Sequence, residues 1–479
     1  MGKFFRKRSG LRARDDQVTN ASDLTLRQSL LPLALVTILF FLWGFAYGLL
    51  DVLNKHFQTT LNISRSRSSG LQAAYFGAYP IASLTYAGAV LRKFSYKATF
   101  MLGLTLYGIG ALLFWPAALK RSFGVSFLPS RATHGFCGAT FIIGSGLGTL
   151  ETAANPYLAV CGPPKYSEMR LNFAQAVQAI GTVVAPVLAS HVFFKNVNDN
   201  SLKSVQWVYL GIAIFVFILA GVFYIANIPE VTDADMERQM ELTGGVFTAT
   251  ENKPLKSQYH LWWAAAAQFC YVGSQVAVAG YFVNYVTETR GHTTAAQGAN
   301  FLAGAQGCFA AGRFLGTFSM KFAKPRWVFL GFFTGVIIFQ AAAVGARKNA
   351  GLACLNLVLF FESICFPTIF TLGIRGLGKH TKTGSTVIVG AIVGGAVIPP
   401  MLGAAADHFN NTGPAMFVPL IFFVLAYSFP LAVNLYKPLA NLMDGFLESE
   451  VSTGEKGFNV EEVEARETGG MGVSKREDI

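Results

Sequence analysis

Long apolar stretches alternate with short polar intervals along the chain. About twenty apolar residues form a helix that can cross the roughly 30 Å hydrocarbon layer of a membrane, where a helix satisfies its own backbone. The pattern predicts twelve such spans, six on each side of a longer polar interval. They lie near residues 32–53, 71–91, 98–119, 131–160, 171–195 and 205–228, and then near 260–287, 295–319, 327–346, 350–374, 383–406 and 414–436.

This spacing predicts an all-α membrane protein with two six-helix bundles. We assign residues 31–228 to the first bundle and residues 259–436 to the second. The interval 229–258 carries charged side chains that lipid excludes, and we interpret it as a cytoplasmic linker. Residues 1–30 are predicted to form a basic cytoplasmic tail. Residues 437–479, polar and rich in Gly and Glu, are predicted to form a disordered cytoplasmic tail.

Composition supports a lipid-solvated protein, because 52% of the residues are hydrophobic and only 13% are charged. The net charge is +12, and the N-terminal tail is basic, so its expected partner is the anionic cytoplasmic face of a lipid bilayer rather than nucleic acid. An even number of spans puts both termini on one side, and the basic residues predict that this side is the cytoplasm. We expect a multi-pass protein of the plasma membrane.

The sequence contains no arrangement of residues that is typical of an enzyme active site. The six cysteines are scattered through apolar segments without the spacing of a metal site or a disulfide framework. No nucleophile with a neighbouring base and no set of metal ligands is evident among the predicted spans. We therefore expect no enzyme activity, no cofactor and no metal site.

Acidic residues inside the predicted spans are the most informative polar positions. Asp51 ends the first span, Glu151 interrupts the fourth, and Glu362 lies in the tenth. An ionisable group at membrane depth costs roughly 2.5–3.5 kcal/mol, so it usually faces a water-filled path, forms a pair or carries protons. A carboxyl group shielded from water can bind and release a proton as a cavity closes and opens. Glu151 is the better candidate for proton coupling and Asp51 the second. For Glu362, structural pairing and function both stay open.

Amide and aromatic side chains provide candidates for ligand binding. On a helix, residues three or four apart share a face, so several of these side chains can line one cavity. Amides offer both donors and acceptors to sugar hydroxyls, and an aromatic ring packs on the apolar face of a sugar. Buried amides that simply bond across helices are the alternative. The candidates are Asn155, Gln175, Gln178, Gln268, Gln275 and Asn300, with Tyr47 and Trp43 as the aromatic residues. Arg313 is expected to extend its charge to the cytoplasmic face.

Several motifs resemble those of the fucose to proton symporters of the major facilitator superfamily, in particular a fungal-looking branch. The most specific are LETAANPY, at 150–157, and FPTIFTLG, at 366–373. Further matches are FFLWGFAYGLLD at 40–51, RLNFAQ at 170–175, GRFLG at 312–316 and TGSTVIVGAIVGGAVIPP at 383–400.

The resemblance implies a twelve-helix major facilitator fold and a monomer that works by alternating access. It implies a secondary active transporter, in which a proton gradient drives the uptake of a monosaccharide, L-fucose or a related hexose. It implies that Asp51 and Glu151 are the functional acids and that Gln175 and Gln178 belong to the site, although the familiar bacterial pattern has Asn at position 178. Tyr47 also departs from the family, which often has amides just before the acid. A facilitative sugar uniporter and a non-transporting sugar sensor are the alternatives.

Overall fold

The computed structural model describes residues 26–61, 64–122, 129–161, 167–192, 203–232 and 254–444. The regular structure within these residues is helical, without strands. The predictions for the N-terminal tail up to residue 25, for residues 233–253 of the linker and for the tail from residue 445 lie outside the described residues.

The first half of the chain forms six long helical segments. Their bounds are α1 Leu26–Leu61, α2 residues 70–93, α3 Tyr96–Ser122, α4 Pro129–Val160, α5 Ser167–Val192 and α6 Lys203–Ile225. The helix α2 contains a π-helical turn at Ala82–Ala87, and the short helix Arg65–Ser68 precedes it.

The second half repeats this arrangement. Its bounds are α7 residues 259–290, α8 Ala295–Ser319, α9 Pro325–Gly345, α10 Lys348–Ile374, α11 Thr381–Phe409 and α12 Thr412–Leu435. Two of these segments are interrupted near their middle: α10 breaks between Lys348–Glu362 and Cys365–Ile374, and α11 contains a 3-10 turn at Ala391–Val393.

Each of the twelve predicted spans coincides with one of these segments. Within the described residues, 8 helices are long and apolar enough to cross a membrane. The other four segments, α2, α4, α7 and α8, are interrupted or carry glycine and polar residues that lower their hydropathy. All four line the cavity described below, where polar side chains are used.

Helices are sorted into inner and outer positions. Segments α1, α2, α4 and α5 of the first bundle face α7, α8, α10 and α11 of the second, with α5 packed on α8 and α2 on α11. The outer helices α3, α6, α9 and α12 expose large apolar side chains, including Ile218 of α6 and Leu425 of α12. Exposed apolar side chains on this scale are expected where lipid is the solvent.

The first bundle is held by a backbone contact between α1 and α5. A Cβ atom added to Gly44 would lie 1.8 Å from the backbone oxygen of Gln178, and one added to Gly181 would lie 2.5 Å from that of Phe41. Two helices can approach this closely where small residues line the contact, and here α1 and α5 each supply a glycine. The contact fixes the aromatic residues of α1 against the glutamines of α5.

The two bundles also touch at one end through Arg65, and we call this the Arg65 end. The Arg65 guanidinium lies 3.0 Å from Glu288 of α7 and 3.5 Å from Asp407 of α11. The backbone N–H of Ser66 donates to Asp407 at 3.1 Å, and the hydroxyl of Tyr281 donates to the Arg65 carbonyl at 2.8 Å. At the opposite end, the Lys382 ammonium of α11 lies 5.8 Å from the centre of a tyrosine ring at the start of α3.

Arg65→Gln is expected to open the Arg65 end more often. It removes two partly exposed ion pairs, each worth roughly 0.2–1 kcal/mol, so the open population should rise about two- to thirtyfold. The measurement is the rate at which a membrane-impermeant maleimide labels a cysteine that replaces Val276 in the cavity, in a background without other cysteines. Arg67→Gln is the matched control, because it removes the same charge two residues away without an ion pair among the described residues. Equal labelling rates in the two variants would contradict the prediction.

Residues 437–444 form a helix, although the sequence placed them in the disordered tail. Asp444 accepts hydrogen bonds from Lys324, just before α9, at 2.6 Å and from Arg326, in the first turn of α9, at 2.9 Å. Partial burial alone would raise the pKa of Asp444, but these cationic donors outweigh it and lower that pKa. These bonds fix the segment after α12 to the second bundle.

Candidate functional site

A cavity lies between the two bundles and takes side chains from all eight inner helices. Its empty volume, counted with its open mouth, is about 580 Å³. The lining residues of the first bundle are Trp43, Tyr47, Tyr75, Phe76, Tyr79, Glu151, Gln175, Gln178 and Thr182. Those of the second bundle are Val272, Gln275, Val276, Phe309, Arg313, Phe366 and Ile392. The first bundle thus supplies most of the polar groups, and the second supplies a largely apolar wall with two polar side chains.

Glu151 is the acidic residue that lines this cavity. Its side chain is 9% exposed, and the Nδ2 of Asn155, one helical turn later, donates to its Oε1 at 3.2 Å. Tyr79 of α2 also interacts with this carboxyl group. Asn155 is fully buried behind Glu151 and does not line the cavity. Its amide therefore orients the carboxylate instead of facing the cavity directly.

Asp51 is buried at 1% exposure but is not part of the cavity lining. Both of its carboxylate oxygens are without a hydrogen-bond partner among the described residues. It lies one turn beyond Tyr47, whose hydroxyl likewise has no partner in that part of the chain. The side chain is thus enclosed by protein and does not face lipid. Its role in proton coupling stays a prediction.

The predicted amides separate into two groups. Gln175, Gln178 and Gln275 line the cavity. Gln268 is fully buried outside the lining, and both atoms of its amide are without partners among the described residues. Asn300 is exposed and also lies outside the lining. The cavity therefore brings three of the six predicted amides together with both predicted aromatic residues, Trp43 and Tyr47.

Arg313 does not extend to an aqueous face, and that expectation was wrong. Its side chain is 3% exposed and lines the cavity. The Nε donates to the backbone oxygen of Ser363 at 2.9 Å, and Nη1 donates to the backbone oxygen of Gln175 and, at 3.3 Å, to the Oε1 of Gln178. These three acceptors replace the hydrogen bonds to water that the guanidinium would otherwise make, and they stabilise it inside the protein.

Glu362 is buried at 1% exposure, close to Arg313 and outside the cavity lining. Its carboxyl group interacts electrostatically with Arg313 and also interacts with Gln275. The hydroxyl of Tyr271 donates to the backbone oxygen of Glu362 at 2.6 Å. The Oε2 of Glu362 has no hydrogen-bond partner among the described residues, so structural pairing and a functional role both stay open for this residue.

Aromatic residues of α2 also line the cavity and were absent from the predicted site. The rings of Tyr75 and Tyr79 lie 5.7 Å apart, and those of Phe76 and Tyr79 lie 5.9 Å apart and stacked. A spacing of four between the two tyrosines, on a span that faces its partner bundle, is the signal that could have identified them. They extend the aromatic surface that begins at Trp43.

Two six-helix bundles with a polar cavity between them define a membrane transporter. The sequence profile of the Major Facilitator Superfamily matches residues 36–394. The chain belongs to this superfamily, which is a superfamily of transporters and not of enzymes.

Curated relatives cover most of the chain. It is 33% identical over 422 residues to the L-fucose-proton symporter of Escherichia coli (strain K12), covering 84% of this chain and 93% of the relative. It is also 33% identical over 380 residues to a glucose/galactose transporter of Brucella abortus biovar 1 (strain 9-941), covering 78% and 87%. These matches run through both bundles.

Solved structures agree with this fold. The crystal structure of FucP, a Major Facilitator Superfamily transporter in the outward conformation, matches with a TM-score of 0.67 and 33% identity, covering 84% of this chain and 98% of that one. The proton:xylose symporter XylE matches with a TM-score of 0.62, covering 84% and 95%. Since XylE is only 13% identical, it supports the fold alone. The predicted twelve-helix major facilitator fold is confirmed.

Proposed function

We propose that this protein is a secondary active transporter that couples the uptake of a neutral monosaccharide to the entry of protons. The observation that carries the proposal is the position of Glu151. It is an acid at membrane depth that lines a cavity between two bundles, next to amides and aromatic rings. A carboxyl group in this position can bind a proton from one side and release it to the other as the bundles rock around the cavity.

Recognition of a sugar follows from the other lining residues. Gln175, Gln178 and Gln275 would hold hydroxyl groups, because each amide offers both a donor and an acceptor. Trp43 and Tyr47 would pack against the apolar face of the ring. Asn155 would act through Glu151, to which it is bonded. Asp51, Gln268 and Asn300 stand outside the lining, so a role for them needs a rearrangement between conformations.

The substrate class is chosen from the relatives. Proteins that are 33% identical to the chain are named as an L-fucose-proton symporter and as a glucose/galactose transporter. We therefore propose L-fucose or a related hexose as the substrate. We further propose that the protein works as a monomer in the plasma membrane with both termini in the cytoplasm, as the basic N-terminal tail favours.

The test is uptake of labelled sugar by the purified protein in liposomes. With an acidic exterior we expect L-fucose, D-galactose or D-glucose to accumulate above its external concentration, and we expect a protonophore to abolish that accumulation. When unlabelled monosaccharides are each added in excess, the true substrate should reduce the uptake of the labelled sugar. Absence of uptake for every sugar in the panel would refute the proposal.

The same preparation separates the proposal from its two alternatives. A symporter makes a weakly buffered medium more alkaline when sugar is added, because protons enter with the sugar. A facilitative uniporter equilibrates the sugar without this change. A sensor binds labelled sugar but does not move it into liposomes.

A further inference from the structure

Arg313 connects the two halves of the cavity. We propose that this residue couples sugar binding on the first bundle to closure of the second bundle around the sugar. It would contact the sugar in the closed form and so favour translocation, and the proton would be carried elsewhere. The inference rests on the proposed function, since it assigns a step within the transport cycle.

Two elements of the second bundle fix the Arg313 side chain. The guanidinium lies 4.5 Å from the centre of the Phe309 ring, one turn earlier on α8. Its Nε donates to the backbone oxygen of Ser363, at the break in α10. The residue four positions after Ser363 is Pro367, which has no N–H and cannot satisfy that oxygen as a helix normally would. The sequence of α10 thus creates the acceptor that Arg313 uses.

The other side of the same guanidinium reaches the first bundle. Its Nη1 donates to the backbone oxygen of Gln175 and to the side-chain oxygen of Gln178. Both glutamines line the cavity and are proposed sugar ligands. One planar group therefore joins α8 and α10 to the sugar-binding face of α5, and we call these two bonds to α5 the cross-bundle contact.

Nη2 of Arg313 can donate a hydrogen bond to the sugar. Nη2 makes no hydrogen bond within the part of the chain that the structure describes, although Arg313 lines the cavity. A sugar hydroxyl placed between Gln178 and Nη2 would touch both bundles only when they are close together. A ligand shifts a conformational equilibrium by its difference in affinity for the two states, so sugar bound in this way favours the closed form.

Lysine cannot replace arginine in this arrangement. A guanidinium presents five donors in a fixed plane, whereas an ammonium group is a single point on a flexible stem. A lysine at position 313 keeps the charge next to Glu362 but cannot hold the oxygen of Ser363 and the acceptors of α5 at the same time.

The experiment compares the parent protein with Arg313→Lys in liposomes, and measures both equilibrium exchange and pH-driven net uptake of labelled sugar. We expect the maximal rate of both processes to fall about tenfold or more, whereas the Kd of the sugar changes less than about threefold. The matched control is Arg290→Lys, because the Arg290 guanidinium also lies over a phenylalanine ring, 4.6 Å from the centre of Phe301, but away from the cavity. It should transport like the parent.

Pro367→Ala tests the same contact without touching the charge, in case Arg313→Lys is not recovered folded. The alanine supplies an N–H to the oxygen of Ser363, which competes with Arg313 and should also lower the maximal rate. The proposal is overturned if the folded variant, Arg313→Lys or Pro367→Ala, keeps a maximal rate within about threefold of the parent. It is also overturned if only KM changes, or if exchange survives and net uptake alone is lost. A parent protein that moves no sugar refutes the proposed function instead.

Discussion

Glu151→Gln is expected to abolish accumulation of sugar driven by a pH gradient while leaving sugar exchange in place. Glutamine resembles a protonated glutamate in shape but cannot release a proton. The variant with sugar bound can therefore still cross between its two conformations, but the pH gradient does not drive this step. A gradient of one pH unit stores about 1.4 kcal/mol per proton, which supports up to roughly tenfold accumulation by a one-proton symporter. In the variant the internal and external concentrations should become equal.

Labelled sugar in acid-outside liposomes measures the accumulation, and counterflow without a gradient measures the exchange. Asp444→Asn is the control, since it neutralises an acid that is bonded to Lys324 and Arg326 away from the cavity lining. It should retain gradient-driven accumulation. If Glu151→Gln concentrates sugar as the parent does, the proton passes through another group.

Gly44→Val is expected to prevent assembly of a functional first bundle. The new Cβ would overlap the backbone oxygen of Gln178, which no side-chain movement can relieve, so α1 and α5 must separate. Overpacking of a well-packed core costs roughly 1–3 kcal/mol and more when backbone must move. Separation would also displace Trp43 and Tyr47 from the glutamines of α5. We expect uptake to fall below about a tenth of the parent rate and the melting temperature to drop by several degrees.

Fluorescence-detected gel filtration and thermal unfolding in detergent measure the assembly, and liposome uptake measures the activity. Gly304→Val is the matched control, because a Cβ at Gly304 meets nothing within 4 Å. It introduces the same β-branched side chain into a long helix and should behave like the parent. A monodisperse Gly44→Val protein with parental stability and uptake would contradict the close contact between α1 and α5.

Hydropathy alone predicted the number and order of the helical segments. The reason is physical, because lipid offers no partner to an exposed backbone amide and each crossing therefore needs a helical segment of mostly apolar residues. Interruptions within helices were harder to predict. The π-helical turn at Ala82–Ala87 itself contains no proline or glycine, although Pro80 lies two residues before it.

A site residue was predicted correctly where it lies both on the helix face that points to the cavity and at the level of the cavity along the helix axis. Gln268 and Gln275 share a face of α7, but seven residues separate them by about 10 Å along the axis, so only one reaches the cavity. Asn300 precedes Arg313 by thirteen residues on α8, which turns the two side chains roughly 140° apart. One of them faces the cavity and the other is exposed.

Arg313 was mispredicted because a lone cation in an apolar helix usually extends to the aqueous face. Its actual position depends on acceptors from two other helices that are distant in sequence, at Ser363 and at Gln175. Only Pro367 is a signal that the sequence itself contains. A proline has no N–H, so the backbone oxygen of the fourth residue before it lacks its helical hydrogen bond. Sequence reasoning did not connect that vacant carbonyl to a donor on another helix.

The unequal walls of the cavity indicate where new substrate preferences could evolve. The first-bundle amides that are proposed to bind sugar hydroxyls lie on α5. This helix packs so closely on α1 that no atom can be added at Gly44. The opposite wall offers apolar side chains that can be exchanged for others of similar volume at a cost usually below about 1.5 kcal/mol. Adaptive substitutions, and any mutant library designed to accept another hexose, should therefore concentrate at Val272, Val276, Phe309, Phe366 and Ile392.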